Sequence, residues 1–407
     1  MLALAATSVA GSTRVRRLTG MATAHDYFGL RAELERRGPP RKLRERYYAA
    51  LVASAFGHTI EAEHEIDELL DETLPMAWRT GLLELSMHAK LRHHDYNGAL
   101  AAARGMSVLK ASRKVMDDAA NMAALLEALT DVPAQTATVA GKQTHVMRHA
   151  DGNGGFCAPL RIDQHERCLA FDTGANFSVL IRSEAEALGL RLRSSNVHVG
   201  NGAGGEVLSD IAVVPELQIG AMTLHHVVFL VLPDAAMTFP GARIKGLLGY
   251  PVLAALGRVR FNADHSIDIM HATDRASLPN IAFEGQLPLV ELRFQGVPQL
   301  CALDSGASHT VFYKLFSLRF SAWLDAHGRR HRLRLGNAGG IRTMDAIRVP
   351  QMTIELGGRS VHLERVDVIT DQTRPTEPYL MCNVGLDALG AGRAYTIDFR
   401  TQMLTLD

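Results

Sequence analysis

Two stretches decide how this chain is read: CLAFDTGANFSVL (168–180) and CALDSGASHTVF (301–312). Each is an apolar run of strand character, then Asp-Thr/Ser-Gly-Ala, then a second apolar run. A lone Asp-Thr/Ser-Gly means little, since composition alone yields one in roughly one chain of several at this length. Here the two aspartates, Asp172 and Asp304, stand 132 residues apart, and each triplet continues as Ala-x-x-x-Val.

Working outward, the flanks repeat as well. The first copy runs FCAPLRIDQHERCLAFDTGANFSVL (156–180), VHVGNGAGGEV (197–207), IKGLLGYPVLAAL (244–256) and GRVRFNADHSIDI (257–269). The second runs LPLVELRFQGVPQLCALDSGASHTVF (287–312), LRLGNAGGIRT (333–343), MCNVGLDALG (381–390) and GRAYTIDFRTQMLTL (392–406). The later elements are offset by 136 residues, Gly200 to Gly336 and Gly249 to Gly385, so one insertion is expected within SAWLDAHGRRHR (321–332). The pattern reads as a tandem duplication. From about 135 onward short strands alternate with Gly-rich turns, the texture of a mostly-β region.

These motifs resemble the pepsin/retropepsin superfamily of aspartic peptidases over about 155–407. Asp172-Thr173-Gly174-Ala175 and Asp304-Ser305-Gly306-Ala307 match its active-site triplets. Leu247-Leu248-Gly249 matches the element that supports each active loop, and Asn383-Val384-Gly385 is its counterpart with a polar first residue. Alanine after both triplets, and no tyrosine in either flap candidate, places the chain nearer retropepsins than pepsins. The resemblance implies a mostly-β bilobal acid-protease fold of bacterial type, two retropepsin-like lobes on one chain. An all-α helical-hairpin domain precedes it.

Function follows from the same resemblance: Asp172 and Asp304 as the catalytic pair of an aspartic endopeptidase, with Thr173, Gly174, Ser305 and Gly306 supporting the active loops. Thr173 and Ser305 would bond across to the opposite loop. Flap and loop candidates for substrate binding are Gly200, Asn201, Gly202, Gly204, Gly336, Asn337, Gly339, Asn176 and Ser308. Two carboxylates at hydrogen-bonding distance share one proton, so one can deprotonate water while the other polarises a carbonyl; aspartic proteases are the standard instance of this pairing. Such hydrolysis needs no metal or organic cofactor. The substrate is an extended polypeptide, and dimerisation is not required when one chain supplies both halves. Without a hydroxyl residue after either triplet, the pH optimum should be less acidic than pepsin's.

The remaining chain narrows the field. At 407 residues it suits two or three domains. Lys plus Arg and Asp plus Glu both number 43, and aromatics make up 6%, so nothing points to nucleic acid. No segment reaches the ~18 apolar residues of a membrane span. Residues 1–22 read as a signal remnant or disordered leader; MLALAATSVAGS suggests export to the periplasm if residues 1–10 are a truncated signal, and a cytoplasmic protein otherwise.

Residues 23–130 have helical periodicity. GHTIEAEHEIDELL (57–70) and HDYNGALAAARGMSVL (94–109) share a layout, each preceded by a further helix-like stretch. That fits tetratricopeptide-type hairpins, able to dock a protein partner, or a plain bundle. The domains expected are therefore 23–130, 135–275 (lobe 1) and 276–407 (lobe 2). The alternative function is a non-catalytic peptide-binding scaffold using the helical repeats and the β-domain cleft.

Cys157, Cys168, Cys301 and Cys382 are too few for a disulfide scaffold and fit no zinc motif. Buried thiols are the favoured reading, with a Cys157–Cys168 bridge the alternative. Gly200-x-Gly202-x-x-Gly205 matches a dinucleotide fingerprint only formally, because strand-like sequence follows it. The pairs His93–His94 and His225–His226 lack metal-ligand spacing. His64 and Glu65 suit a solvated helix face, and neither Ser178 nor Ser308 has the His/Asp company of a nucleophile.

Overall fold

A computed structural model describes residues 13–40, 42–57, 59–109, 111–141, 143–150, 155–200, 206–239, 242–270, 278–337, 340–371, 378–390 and 393–407. The chain divides into two compact units, one holding residues up to Ala134 together with Ala282–Gln286, the other Gln135–Ile281 and Leu287–Asp407.

Among the described residues the first unit contains seven helices: Thr13–Thr23, Tyr27–Arg37, Leu43–Ala55, Thr59–Leu70, Met76–Arg92, Tyr96–Ser107 and Arg113–Glu127. Sequence neighbours pack on one another through short connections. The core is apolar and aromatic: Tyr47 stacks on Trp78, and Leu30, Ala62, Ile66, Leu82 and Ala99 are fully buried. Leu18 and Ala22 are buried too, so the helical unit begins inside the stretch read as a leader. Residues 1–12, with the signal-like start, lie outside the described residues.

One repeat in this unit escaped the reading by texture. His25-Asp26-Tyr27-Phe28-Gly29 and His94-Asp95-Tyr96-Asn97-Gly98 start two helices in the same way. Each histidine has positive φ (55° and 59°), and each aspartate caps its helix by accepting from the glycine N–H at 2.8 and 2.9 Å. The glycine is dictated by space, since a Cβ would lie 2.3 Å from Asp26 Oδ2 or 2.1 Å from Asp95 Oδ2.

Ala282–Gln286, expected in lobe 2, belongs with this helical unit. Glu284 Oε2 lies 3.1 Å from His25 Nδ1, Phe283 is 4% exposed, and Gly285 (φ 60°) faces the His88 ring. Apolar side chains such as Phe283 go where cover is available, whatever the chain's bookkeeping by domain.

Among the described residues the β region forms sheets of nine, eight and five strands and a two-stranded ribbon. The nine-stranded sheet draws on residues 136–248 and the eight-stranded one on 281–384. The five-stranded sheet takes strands from both halves: Arg258–Phe261 pairs antiparallel with Tyr395–Asp398, Val259 opposite Ile397. Strands facing solvent alternate buried and exposed residues, as in Arg359–Ile369, whereas Ser178–Ile181 is buried throughout.

The halves repeat each other in register. Leu247 and Leu248 lie parallel to Ala170 and Phe171; Asn383 and Val384 lie parallel to Ala302 and Leu303. On the other side Leu247 pairs antiparallel with Val179, and Asn383 with Val311. The helix Ser321–His327 follows Lys314–Arg319 directly and has no counterpart after Arg182–Ala187, where the chain goes on to the strand at Arg193. It accounts for the change in offset.

The cysteines correct the buried-thiol reading. Cys157–Cys168 and Cys301–Cys382 are both disulfides, with Cα separations of 5.2 and 4.7 Å. The second joins directly paired residues of two parallel strands. Adjacency across a sheet, which sequence spacing does not reveal, brings these thiols within bonding range.

Candidate active site

Each aspartate sits where a strand ends in a tight loop beside a short parallel strand. Asp172 N–H donates to Leu248 O and Asp304 N–H to Val384 O, both at 3.0 Å. Beyond the triplets, Tyr250 N–H donates to Ala175 O at 2.9 Å and Leu386 N–H to Ala307 O at 2.8 Å. Gly249 and Gly385 allow this approach, because a Cβ would come within 2.4 Å of Phe177 C or 2.6 Å of His309 C.

Six residues after each aspartate a buried hydroxyl completes the support. Ser178 Oγ accepts from Gly249 N–H at 3.1 Å, and Thr310 Oγ1 accepts from Gly385 N–H at 3.0 Å. Ser178 thus has a structural partner, and Thr310 is its equivalent. Sequence reasoning weighed Ser178 only as a nucleophile and passed over Thr310; their equal spacing from the aspartates was the available signal.

The two loops are tied across the unit. Thr173 N–H donates to Ser305 Oγ at 3.1 Å, and Ser305 N–H donates to Thr173 Oγ1 at 2.9 Å. The same hydroxyls then donate onward, Thr173 Oγ1 to Leu303 O at 2.7 Å and Ser305 Oγ to Phe171 O at 3.1 Å. Each hydroxyl uses both its donor and an acceptor lone pair, in a setting where an unpaired group would be costly.

This brace brings the carboxyl groups together. Each carboxyl group lies against the glycine of the other loop, so that Asp172 and Asp304 face one another. Gly174 and Gly306 are the residues that let them meet: a Cβ at Gly306 would lie 2.5 Å from Asp172 Cγ, and one at Gly174 2.9 Å from Asp304 Cγ. Asp172 accepts from Gly174 N–H at 2.9 Å, and Asp304 Oδ1 from Gly306 and Ala307 N–H at 2.9 and 3.0 Å. Burial and then the facing Asp304 push the Asp172 carboxyl well above the usual carboxylate range. Such a pair can hold one proton and one charge near neutral pH. Asn383, noted in sequence only as a departure, donates from Nδ2 to Asp304 Oδ2 at 2.5 Å.

The flap candidates fall on two hairpins, Arg193–Gly200 with Glu206–Ile219 and Arg329–Asn337 with Gly340–Leu356. Gly200 pairs with Glu206, Gly336 with Ile341 and Asn337 with Gly340. Asn201, Gly202, Gly204 and Gly339 lie outside the described residues. Asn176 and Ser308 are both exposed on the active loops.

The dinucleotide-like glycines lead into the strand Glu206–Ile219, not into a helix, which removes the geometry that would cradle a pyrophosphate. Among the described residues no group of three or more His, Cys, Asp or Glu side chains could hold a metal ion. Among the described residues no helix is long and apolar enough to cross a membrane.

No curated protein matches the chain. Residues 158–252, which include the Asp172 loop and the Leu247–Gly249 strand end, match the family model described as aspartyl protease. The chain contains an aspartyl protease-like domain.

Proposed function

We propose that this chain is an aspartic endopeptidase whose catalytic pair is Asp172 and Asp304, one from each of two retropepsin-like lobes fused by duplication. The observation that carries this reading is the placing of each carboxyl group against the other loop's glycine, held by the reciprocal Thr173–Ser305 brace. Repetition of the same loop bonds around Asp304 supports it, although the family match covers only the first half. A binding cleft has no need of two abutting carboxyl groups, which repel when both are charged.

In the reaction, the charged aspartate takes a proton from water as the water oxygen bonds to the scissile carbonyl carbon. The protonated aspartate gives its proton to the carbonyl oxygen. Collapse of the resulting gem-diol breaks the C–N bond, with the amine protonated by the first aspartate and one hydroxyl proton returned to the second. An extended substrate would lie beneath the two hairpins, its backbone paired as an added strand. The helical unit would recruit a protein partner. Its two His-Asp-Tyr-x-Gly starts stand 69 residues apart, about twice the ~34-residue tetratricopeptide period.

The test is digestion of an unfolded protein from about pH 3 to about pH 8, the span in which a shared-proton pair works. Wild type should cut it, and Asp172→Asn and Asp304→Asn should each abolish cutting. A folded wild type that leaves it intact throughout would refute hydrolysis and favour the scaffold reading.

A further inference from the structure

The loops carrying the two aspartates are near copies, yet one position breaks the symmetry. Beside Asp172 the supporting strand offers Leu247, an aliphatic chain with no donor; beside Asp304 the register-equivalent residue is Asn383. We propose that Asn383 places the shared proton: its amide N–H holds Asp304 as the carboxylate and leaves the proton on Asp172. Asp304 then acts as the base towards water, and Asp172 as the acid towards the carbonyl oxygen. This assignment of roles rests on the hydrolytic reading of the pair.

The geometry makes the argument. Asp304 has its Oδ1 occupied by Gly306 and Ala307 N–H, and Asn383 Nδ2 comes to 2.5 Å from Oδ2. Asp172 Oδ1 has the matching donor, Gly174 N–H at 2.9 Å, with Ala175 N–H directed to its backbone carbonyl at 3.3 Å, but no hydrogen bond from a side-chain amide. A donor aimed at a carboxylate favours the charged form, and more so out of water. The other acidic group at this corner, Asp387, is engaged elsewhere: it accepts from Thr310 N–H and hydroxyl at 2.7 and 2.6 Å, with His309 at 3.7 Å.

Asn383 is also an expensive residue to keep there. It is 8% exposed, and its Oδ1 is buried with no hydrogen-bond partner. Leucine, as in the first half, would avoid an unpaired buried carbonyl. Burial and the neighbouring Asp304 raise Asp172, which agrees with the proton residing there.

The test exchanges the two halves' choices. Asn383→Leu should move the acid limb of the kcat/KM profile, measured on an unfolded protein substrate, upward by about one pH unit. Its effect on KM at neutral pH should be small beside that shift. A limb that stays put, or moves downward because the amide carbonyl faces a protonated Asp304, overturns the proposal.

A second measurement needs no activity. In the Asp172→Asn background, where Asp304 is the remaining carboxyl of the pair, Asn383→Leu should lower the thermal midpoint more at about pH 7 than at about pH 3. The sign follows because a carboxylate stabilised in the folded state contributes above its unfolded pKa and loses that contribution as pH falls. An equal loss at both pH values makes Asn383 a packing residue and ends the proposal. A pH-dependent loss in a protein that cuts nothing upholds the donor while refuting hydrolysis.

Discussion

Thr173 and Ser305 exchange backbone-to-hydroxyl hydrogen bonds at 3.1 and 2.9 Å, so each aspartate loop is completed by a residue of the other. Both side chains are buried, at 2% and 6% exposure. Positioning of the carboxyl pair and stability of the β unit are therefore the same property, read in two assays.

Ser305→Ala should cost about 2–4 kcal/mol, since it removes two bonds and leaves the Thr173 N–H and Phe171 O buried without that partner. Urea unfolding would show the loss as a lower midpoint with unchanged slope. Activity should fall through kcat more than KM, because a displaced dyad harms the transition state more than strand-like binding of substrate. A variant as stable and as active as wild type would mean the brace is dispensable.

The Asp172 carboxyl, raised first by burial and then by Asp304, gives stability a definite slope with pH. A carboxyl raised in the folded state contributes fully below its unfolded value of about 3.9 and loses that contribution as pH climbs through the folded value. Asp172→Asn, neutral at every pH, should gain on wild type in thermal midpoint between about pH 4 and about pH 8. A constant gap would show that Asp172 titrates as it does in the unfolded chain. In the rate profile, with Ala175 and Ala307 offering no hydroxyl, the peak should lie above about pH 3, whereas pepsin's lower dyad value is ~1.5.

Much of this was legible because a repeated motif needs no knowledge of the fold. Asp172 and Asp304 declare themselves by position, and the Leu247–Gly249 and Val384–Gly385 elements by their distance from them. What stayed hidden depends on which strands lie side by side. Cys301 meets Cys382 only because the strand before Asp304 runs parallel to the strand containing Asn383. Asn383 is visible in sequence as a polar residue at an apolar position, but its 2.5 Å contact with Asp304 is not. The His25–Gly29 helix start is obscured for another reason: it adjoins the leader-like stretch and lies far ahead of the hairpin-like segments 57–70 and 94–109.

Both cysteine pairs should be oxidised in the purified protein. Alkylation of the denatured, unreduced chain should label none of the four, and reduction should expose all of them. Replacing Cys301 and Cys382 together by alanine should cost about 2–4 kcal/mol, the usual range for a native bridge. The Cys157–Cys168 pair should matter less, because it closes a separation of 11 residues against 81. Labelling of native-state thiols without reductant would return these residues to the buried-thiol reading.

Removing the helical unit separates recruitment of a partner from the alternative that this unit is a pro-like inhibitory segment, and the Ala282–Gln286 segment sets the expectation. Ala282, Phe283 and Gln286 are buried within that unit, and Gly285, in the left-handed region, faces the His88 ring. A chain starting near residue 135 would expose the Phe283 side chain, an apolar surface that favours association. Size-exclusion chromatography should find it aggregated, and Phe283→Ser in the shortened chain should restore part of the monomer. A pro-like inhibitory segment predicts the opposite, a soluble product more active than the full chain. Since nothing in the helical unit's own packing calls for release, loss of soluble protein is the expected result, and a monomeric, hyperactive remainder would overturn it.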